Sequence, residues 1–210
     1  MKITLENIGK RFNREWIFRG ITSHISEGKV CAIKGPNGSG KSTLLKLISQ
    51  GELPSEGKIT LYNSKGEKIE AEKAYQQLSY AAPYVDLPEQ LTLKEFFNFH
   101  QKFIPLKKDI SFEEFVQIVY LQSAINKQIS NFSSGMKQRL KLGISILSNS
   151  KILILDEPTS NLDEEGIALY CNLLKSNTSN RITFIGTNEE ARDLVVETEN
   201  IVLTDYKKKN

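Results

Sequence analysis

The residues Gly35-Pro36-Asn37-Gly38-Ser39-Gly40-Lys41-Ser42 follow the spacing GxxxxGK[ST], with Thr43 directly behind. Each residue type in that pattern has a physical task. The glycines let the backbone turn tightly and leave its N–H groups pointing inward, where a phosphate can be cradled. A helix opening near Lys41 would add the positive end of its dipole. Lys41 would then reach the terminal phosphates of a nucleotide as a point charge, and Ser42 would offer a hydroxyl to Mg²⁺.

A second constellation lies far down the chain. Ile152-Leu153-Ile154-Leu155 is an apolar run that ends in Asp156-Glu157. A carboxylate at the carboxyl edge of a parallel sheet sits where ligands bind in such folds. Asp156 is therefore the candidate to hold Mg²⁺, directly or through water. Glu157 is the candidate general base for an attacking water. Taken alone, this run could equally be a plain strand followed by an acidic loop.

The elements that would carry these residues are legible as patterns. Ile3 and Leu5 alternate with polar neighbours, and a second extended stretch runs from about Trp16 to Ile25. Val30-Cys31-Ala32-Ile33 reads as a buried central strand leading into the glycine-rich loop. A helix then runs to Ile48, with Gly51 as its stop. Lys58 to Tyr62 and Leu78 to Ala81 are further strands, and from about Leu87 to Ser148 the pattern turns helical. Thr92-x-x-Glu95 and Ser111-x-x-Glu114 look like capping boxes there. Phe96, Phe97, His100 and Phe103 share one helical face, which is expected to be packed core. Beyond it, strands at Ile152–Leu155, Ile182–Ile185 and Ile201–Leu203 alternate with helices at Glu164–Lys175 and Glu189–Val195.

This order predicts an α/β fold: a P-loop NTPase sheet with a parallel core, an antiparallel β portion towards the N-terminal side, and an inserted helical subdomain. Residues 1–83 and 149–210 would form the nucleotide-binding core and 84–148 the helical part of one domain. The length of 210 residues, 39% hydrophobic and 25% charged, suits that size. A net charge of +3, with Lys and Arg scattered among acids, does not argue for a nucleic-acid partner. No apolar run approaches the roughly 20 residues of a membrane span, and Met1 to Asn7 meets polar residues at once, unlike a signal peptide. A cytoplasmic location is expected. Cys31 and Cys171 lack metal-type spacing and read as reduced packing residues.

Phe132-Ser133-Ser134-Gly135-Met136-Lys137-Gln138-Arg139 stands just upstream of the Asp156 strand. It resembles the LSGGQ stretch of the ABC (ATP-binding cassette) ATPases. Pro158-Thr159-Ser160-Asn161-Leu162-Asp163 is similar to that family's D-loop. The order of P-loop, helical insertion, LSGGQ-like segment, Asp-Glu strand and D-loop covers essentially the whole chain. The resemblance implies an ATP-binding and ATP-hydrolysing subunit that powers a separate multi-span membrane permease, held at the inner face of the cell membrane through that partner. It also implies pairing head to tail with an identical or different second cassette. Ser133, Ser134 and Gly135 would then touch the partner's ATP, and Asp163 the opposite site. An aromatic ring upstream of the P-loop would stack on adenine; Phe12 aligns best with it and Trp16 second.

Three positions depart from the family pattern. Pro83 falls where a glutamine usually follows the strand Leu78–Ala81, and Gln76, Gln77 and Gln90 are not placed to substitute for it. Ser134 and Met136 replace a glycine and a glutamine of LSGGQ. Asn188 stands for the switch histidine; it can donate a hydrogen bond to a phosphate but cannot change charge near neutral pH. Slow hydrolysis is the expected consequence. The alternative function is a non-transport cassette acting on a protein partner. A DNA-repair cassette would carry a long coiled coil, and a GTPase an NKxD-like reader whose acid is missing from Asn126-Lys127-Gln128-Ile129.

Overall fold

The computed structural model describes residues 1–107, 110–188 and 192–207. The chain begins with two long strands, β1 (Lys2–Phe12) and β2 (Glu15–Ser26), followed by β3 (Val30–Lys34) and helix α1 (Lys41–Ile48). Next come β4 (Glu56–Tyr62), β5 (Lys68–Ile69), the single-turn α2 (Ala71–Ala74) and β6 (Leu78–Ala81). Three helices follow: α3 (Leu93–Gln101), α4 (Phe112–Ile118) and α5 (Ser134–Leu147). The chain ends with β7 (Ile152–Asp156), α6 (Glu164–Ser176), β8 (Ile182–Thr187) and β9 (Glu199–Val202).

Two sheets result. One is antiparallel, in the order β2-β1-β4-β5. The other has the order β6-β7-β8-β3-β9, and every pairing in it is parallel. Parallel strands need crossovers, which cover both faces with other elements and leave the strands apolar on both sides. In β7 this is visible residue by residue. Ile152 and Ile154 face one core with α1 and the antiparallel sheet, through Leu44, Leu45 and Ile3. Leu153 and Leu155 face the other core with α5, α6 and the helical stretch, through Leu140, Leu174 and Phe115. The α/β expectation with a parallel core and an antiparallel portion is met.

Helix starts follow capping chemistry. Thr92 and Glu95 form a reciprocal capping box at α3, and Ser111 accepts from Glu114 N at α4. The apolar stripe of α3 holds only in part. Phe96 and Phe97 are buried, but Phe103 is 60% exposed and packs edge-on against Phe99, which is also exposed. The reason is that α3 ends at Gln101, so the helical period no longer sets the direction of Phe103. The helix expected over Glu189–Val195 begins in residues outside those described, and Arg192–Val195 is turn and irregular chain. Close approach decides one helix contact: a Cβ on Gly143 of α5 would lie 2.2 Å from Val119 Cγ1, behind α4.

Candidate functional site

The parallel order brings four consecutive strand ends together. β6, β7, β8 and β3 are neighbours pointing the same way, so the residues after Ala81, at Asp156-Glu157, at Thr187-Asn188 and in the glycine-rich loop all emerge on one edge. Residues far apart in sequence become one site by register alone.

The loop from Gly35 to Gly40 has the conformation its composition suggests. Gly38 and Gly40 have φ of 74° and 105°, in the region that side chains avoid. A Cβ on Gly40 would also lie 2.5 Å from Ile17 Cγ2. Pro36, Asn37 and Gly38 are exposed, whereas Ser39 is buried beneath the loop and its N–H is bonded to Pro36 O at 3.1 Å. The loop, Lys41, Ser42 and Thr43 line a cleft of about 210 Å³ together with Ile17 and Glu157. Ile17, an apolar wall contributed by β2, gave no signal in the sequence pattern.

Lys41 is 4% exposed. Its Nζ donates to Gly35 O at 2.9 Å, to Pro36 O at 3.3 Å, and to Asn188 Oδ1. Burial lowers its pKa, while the charges of Glu157 and Asp156 draw it back up. Asn188 Nδ2 in turn faces Glu157 Oε1 at 3.5 Å. Lys41, Asn188 and Glu157 thus form a chain of contacts across three strand ends. Glu157 has a φ of 44°, unusual for a residue with a side chain, and its N–H is bonded to Gly186 O at 2.9 Å. Such backbone strain concentrates at functional positions.

Asp156 is 1% exposed. Burial raises its pKa, opposed by hydrogen bonds from Ser42 and Tyr84 and by the charges of Lys41 and Lys46. Its Oδ2 accepts from the Tyr84 hydroxyl at 3.0 Å, and its Oδ1 is buried with no partner. The Asp156 carboxylate, buried, with one oxygen lacking a partner and the Ser42 hydroxyl within bonding reach, fits a hard cation with oxygen ligands. Gly186 is needed for this, because a Cβ there would lie 2.5 Å from Asp156 Oδ1. Tyr84 was not among the sequence candidates. The spacing drew attention to Pro83, one residue earlier, and a tyrosine carries no metal-site signature.

Asp193 is a second missed residue. It is 3% exposed, and its carboxylate accepts from Thr159 Oγ1 at 2.7 Å and Thr187 Oγ1 at 2.6 Å. It therefore ties the segment after Glu157 to the end of β8. Gln138, within the LSGGQ-like stretch, donates to Pro158 O at 3.0 Å and fixes the same segment to α5.

The remaining candidates lie away from the cleft. Phe132 is anchored in the helical core; Ser133 caps α5 by accepting from Met136 N at 3.2 Å; Ser133 and Ser134 are exposed. Gly135 approaches Asn161 O. Asp163 caps α6, accepting from Gly166 N at 2.8 Å. Phe12, at the tip of β1, is 48% exposed, with Lys10 Nζ 5.1 Å from its ring centre. Trp16 is more committed: Arg11 and Arg19 flank its ring at 5.6 and 4.6 Å, and Gly9 lies directly beneath it. Neither ring lines the cleft.

Comparison with known proteins agrees with this geometry. Residues 18–160 match the family model described as ABC transporter. The chain is 34% identical over 175 residues to the ABC transporter ATP-binding protein YdbJ of Bacillus subtilis (strain 168), covering 81% of this chain and 55% of YdbJ. It thus spans about half the length of that relative. Among solved structures, an ABC transporter ATP-binding protein from Pyrococcus furiosus superposes with a TM-score of 0.80 at 23% identity, covering 99% of this chain and 100% of that one. The dimeric post-hydrolysis ATP-binding cassette MJ0796, bound to ADP and Pi, superposes with a TM-score of 0.76 at 22% identity, covering 91% and 90%. The chain belongs to the ABC transporter family of ATP-binding proteins.

Proposed function

We propose that this chain binds and hydrolyses Mg²⁺-ATP as the cassette that drives a separate membrane permease. The observation that carries the reading is the meeting of Lys41, Asn188 and Glu157 in front of the glycine loop, with Asp156 buried beside them. The loop N–H groups and Lys41 bind the phosphates. Ser42 and Asp156 would hold a magnesium ion, which when bound would neutralise charge on the phosphates. Glu157 takes the proton of the attacking water, and Asn188 turns its amide to the terminal phosphate.

Pairing with a second cassette completes the site. Exposed Ser133 and Ser134, at the start of the 14-residue α5, would offer hydroxyl and N–H groups to the ATP of the partner. The dimeric state of the related cassette MJ0796 supports this arrangement. No helix among the described residues is long and apolar enough to cross a membrane. The permease would dock on the groove of about 320 Å³ between β6, α3 and α5, lined by Tyr75, Val85, Leu87, Phe96, His100 and Ile104 among others.

The test is Glu157→Gln. It should retain ATP binding, lose hydrolysis by roughly 100-fold or more, and accumulate as an ATP-bound dimer on size exclusion. A strict monomer that hydrolyses ATP at the parent rate would overturn the reading.

A further inference from the structure

The Asp156 carboxylate has two unlike oxygens. Oδ2 is held by Tyr84 at 3.0 Å; Oδ1 is buried and free of any partner. A ligating carboxylate is oriented by the hydrogen bonds it accepts, and such supporting bonds govern metal affinity. Tyr84 is itself held from three sides. Lys46 of α1 lies 4.8 Å from its ring centre. Lys141 of α5 is buried and donates to the carbonyls of Ala82 and Pro83, both at 2.9 Å, and of Val85 at 3.3 Å, gripping the backbone around Tyr84. Tyr80 meets it hydroxyl to hydroxyl. A phenol has one proton, and that of Tyr84 goes to Asp156, so Tyr80 is the donor in this second bond.

We propose that Tyr84 is the positioning residue that orients the Asp156 carboxylate for the metal, supplying a hydroxyl in a segment that has no glutamine to serve the nucleotide site, and that Lys141 holds Tyr84 in place. The grip comes from the same helix whose first residues are Ser134 and Gly135, so the metal ligand and the segment facing a second cassette share one rigid support. The inference rests on the Mg²⁺-ATP reading of the cleft.

The experiment measures metal affinity without turnover. The β,γ-imido analogue of ATP is added below one equivalent, Mn²⁺ is titrated in, and free Mn²⁺ is read by electron paramagnetic resonance. Tyr84 is 45% exposed, so Tyr84→Phe removes only the hydroxyl and is not expected to disturb folding. It should weaken Mn²⁺ binding by roughly 10–100-fold, with metal-free nucleotide affinity unchanged. Lys141→Met should shift the same affinity, and adding it to Tyr84→Phe should bring no further loss. Parent-like Mn²⁺ affinity in Tyr84→Phe overturns the proposal, as does a full additional loss in the double variant. If the parent complex binds Mn²⁺ no better than the analogue alone, the failure lies with the Mg²⁺-ATP reading instead.

Discussion

Asn188 offers a perturbation whose two consequences run in opposite directions. In the free chain the three donors of Lys41 Nζ all meet protein oxygens: Gly35 O, Pro36 O and Asn188 Oδ1. An arriving phosphate must displace one, and the two carbonyls belong to the loop that forms the cradle. Asn188 is therefore the partner that yields: release from Lys41 frees its Oδ1, and the side chain can then turn its Nδ2 from Glu157 to the terminal phosphate. A hydrogen bond to a charged group is worth about 1.5–3 kcal/mol, so Asn188→Ala removes a competitor for Lys41 and should leave ATP affinity equal or tighter. The same change deletes a donor at the reacting phosphate, which typically lowers the rate about 100-fold or more. Asn188→Asp sets a second negative charge beside Glu157 and clasps Lys41 more firmly, so both affinity and rate should fall. Asn188→His restores a donor that charges near pH 6.5 when unperturbed, so the rate should rise above the parent with a histidine-like limb. Calorimetric affinities and steady-state ATPase rates between pH 5.5 and 8.5 decide the matter. An Asp variant with parent rate and affinity would refute the reasoning.

Two further substitutions probe neighbouring parts of the site. Gly186→Ala places a Cβ 2.5 Å from Asp156 Oδ1, so it should weaken Mn²⁺ binding to the nucleotide complex while metal-free ATP affinity holds, as titration of the metal would report. Stacking on an aromatic ring is worth roughly 1–3 kcal/mol per base, so Phe12→Ala should lower ATP affinity and Trp16→Ala should do so less, given that Trp16 already packs between Arg11 and Arg19. The reverse ranking would move the adenine platform to Trp16.

The central architecture could be read from pattern because each part of it is local. Val30–Ile33 and Ile152–Leu155 are apolar runs too short for helices, and the glycine spacing at 35–40 admits few conformations. Asp156 and Glu157 follow directly from the end of such a run. What escaped the sequence is what depends on register between distant strands. Tyr84 reaches Asp156 only because β6 lies beside β7, 72 residues away along the chain. Asp193 is one acid in a charged stretch of sequence, and only the fold brings it to Thr159 and Thr187. Short elements such as β5 and α2 carry too few residues to show a period. Phe103 lay on a plausible stripe, but the helix that would have carried it stops two residues earlier.

Every other role in the site depends on Lys41, in its glycine cradle, binding the phosphates of ATP. Titration calorimetry of ATP into the parent and into Lys41→Ala tests it directly. The parent should bind ATP, and the variant should lose tight binding, because no other cation among the described residues lines the cleft. Equal affinity in the two proteins would contradict the claim.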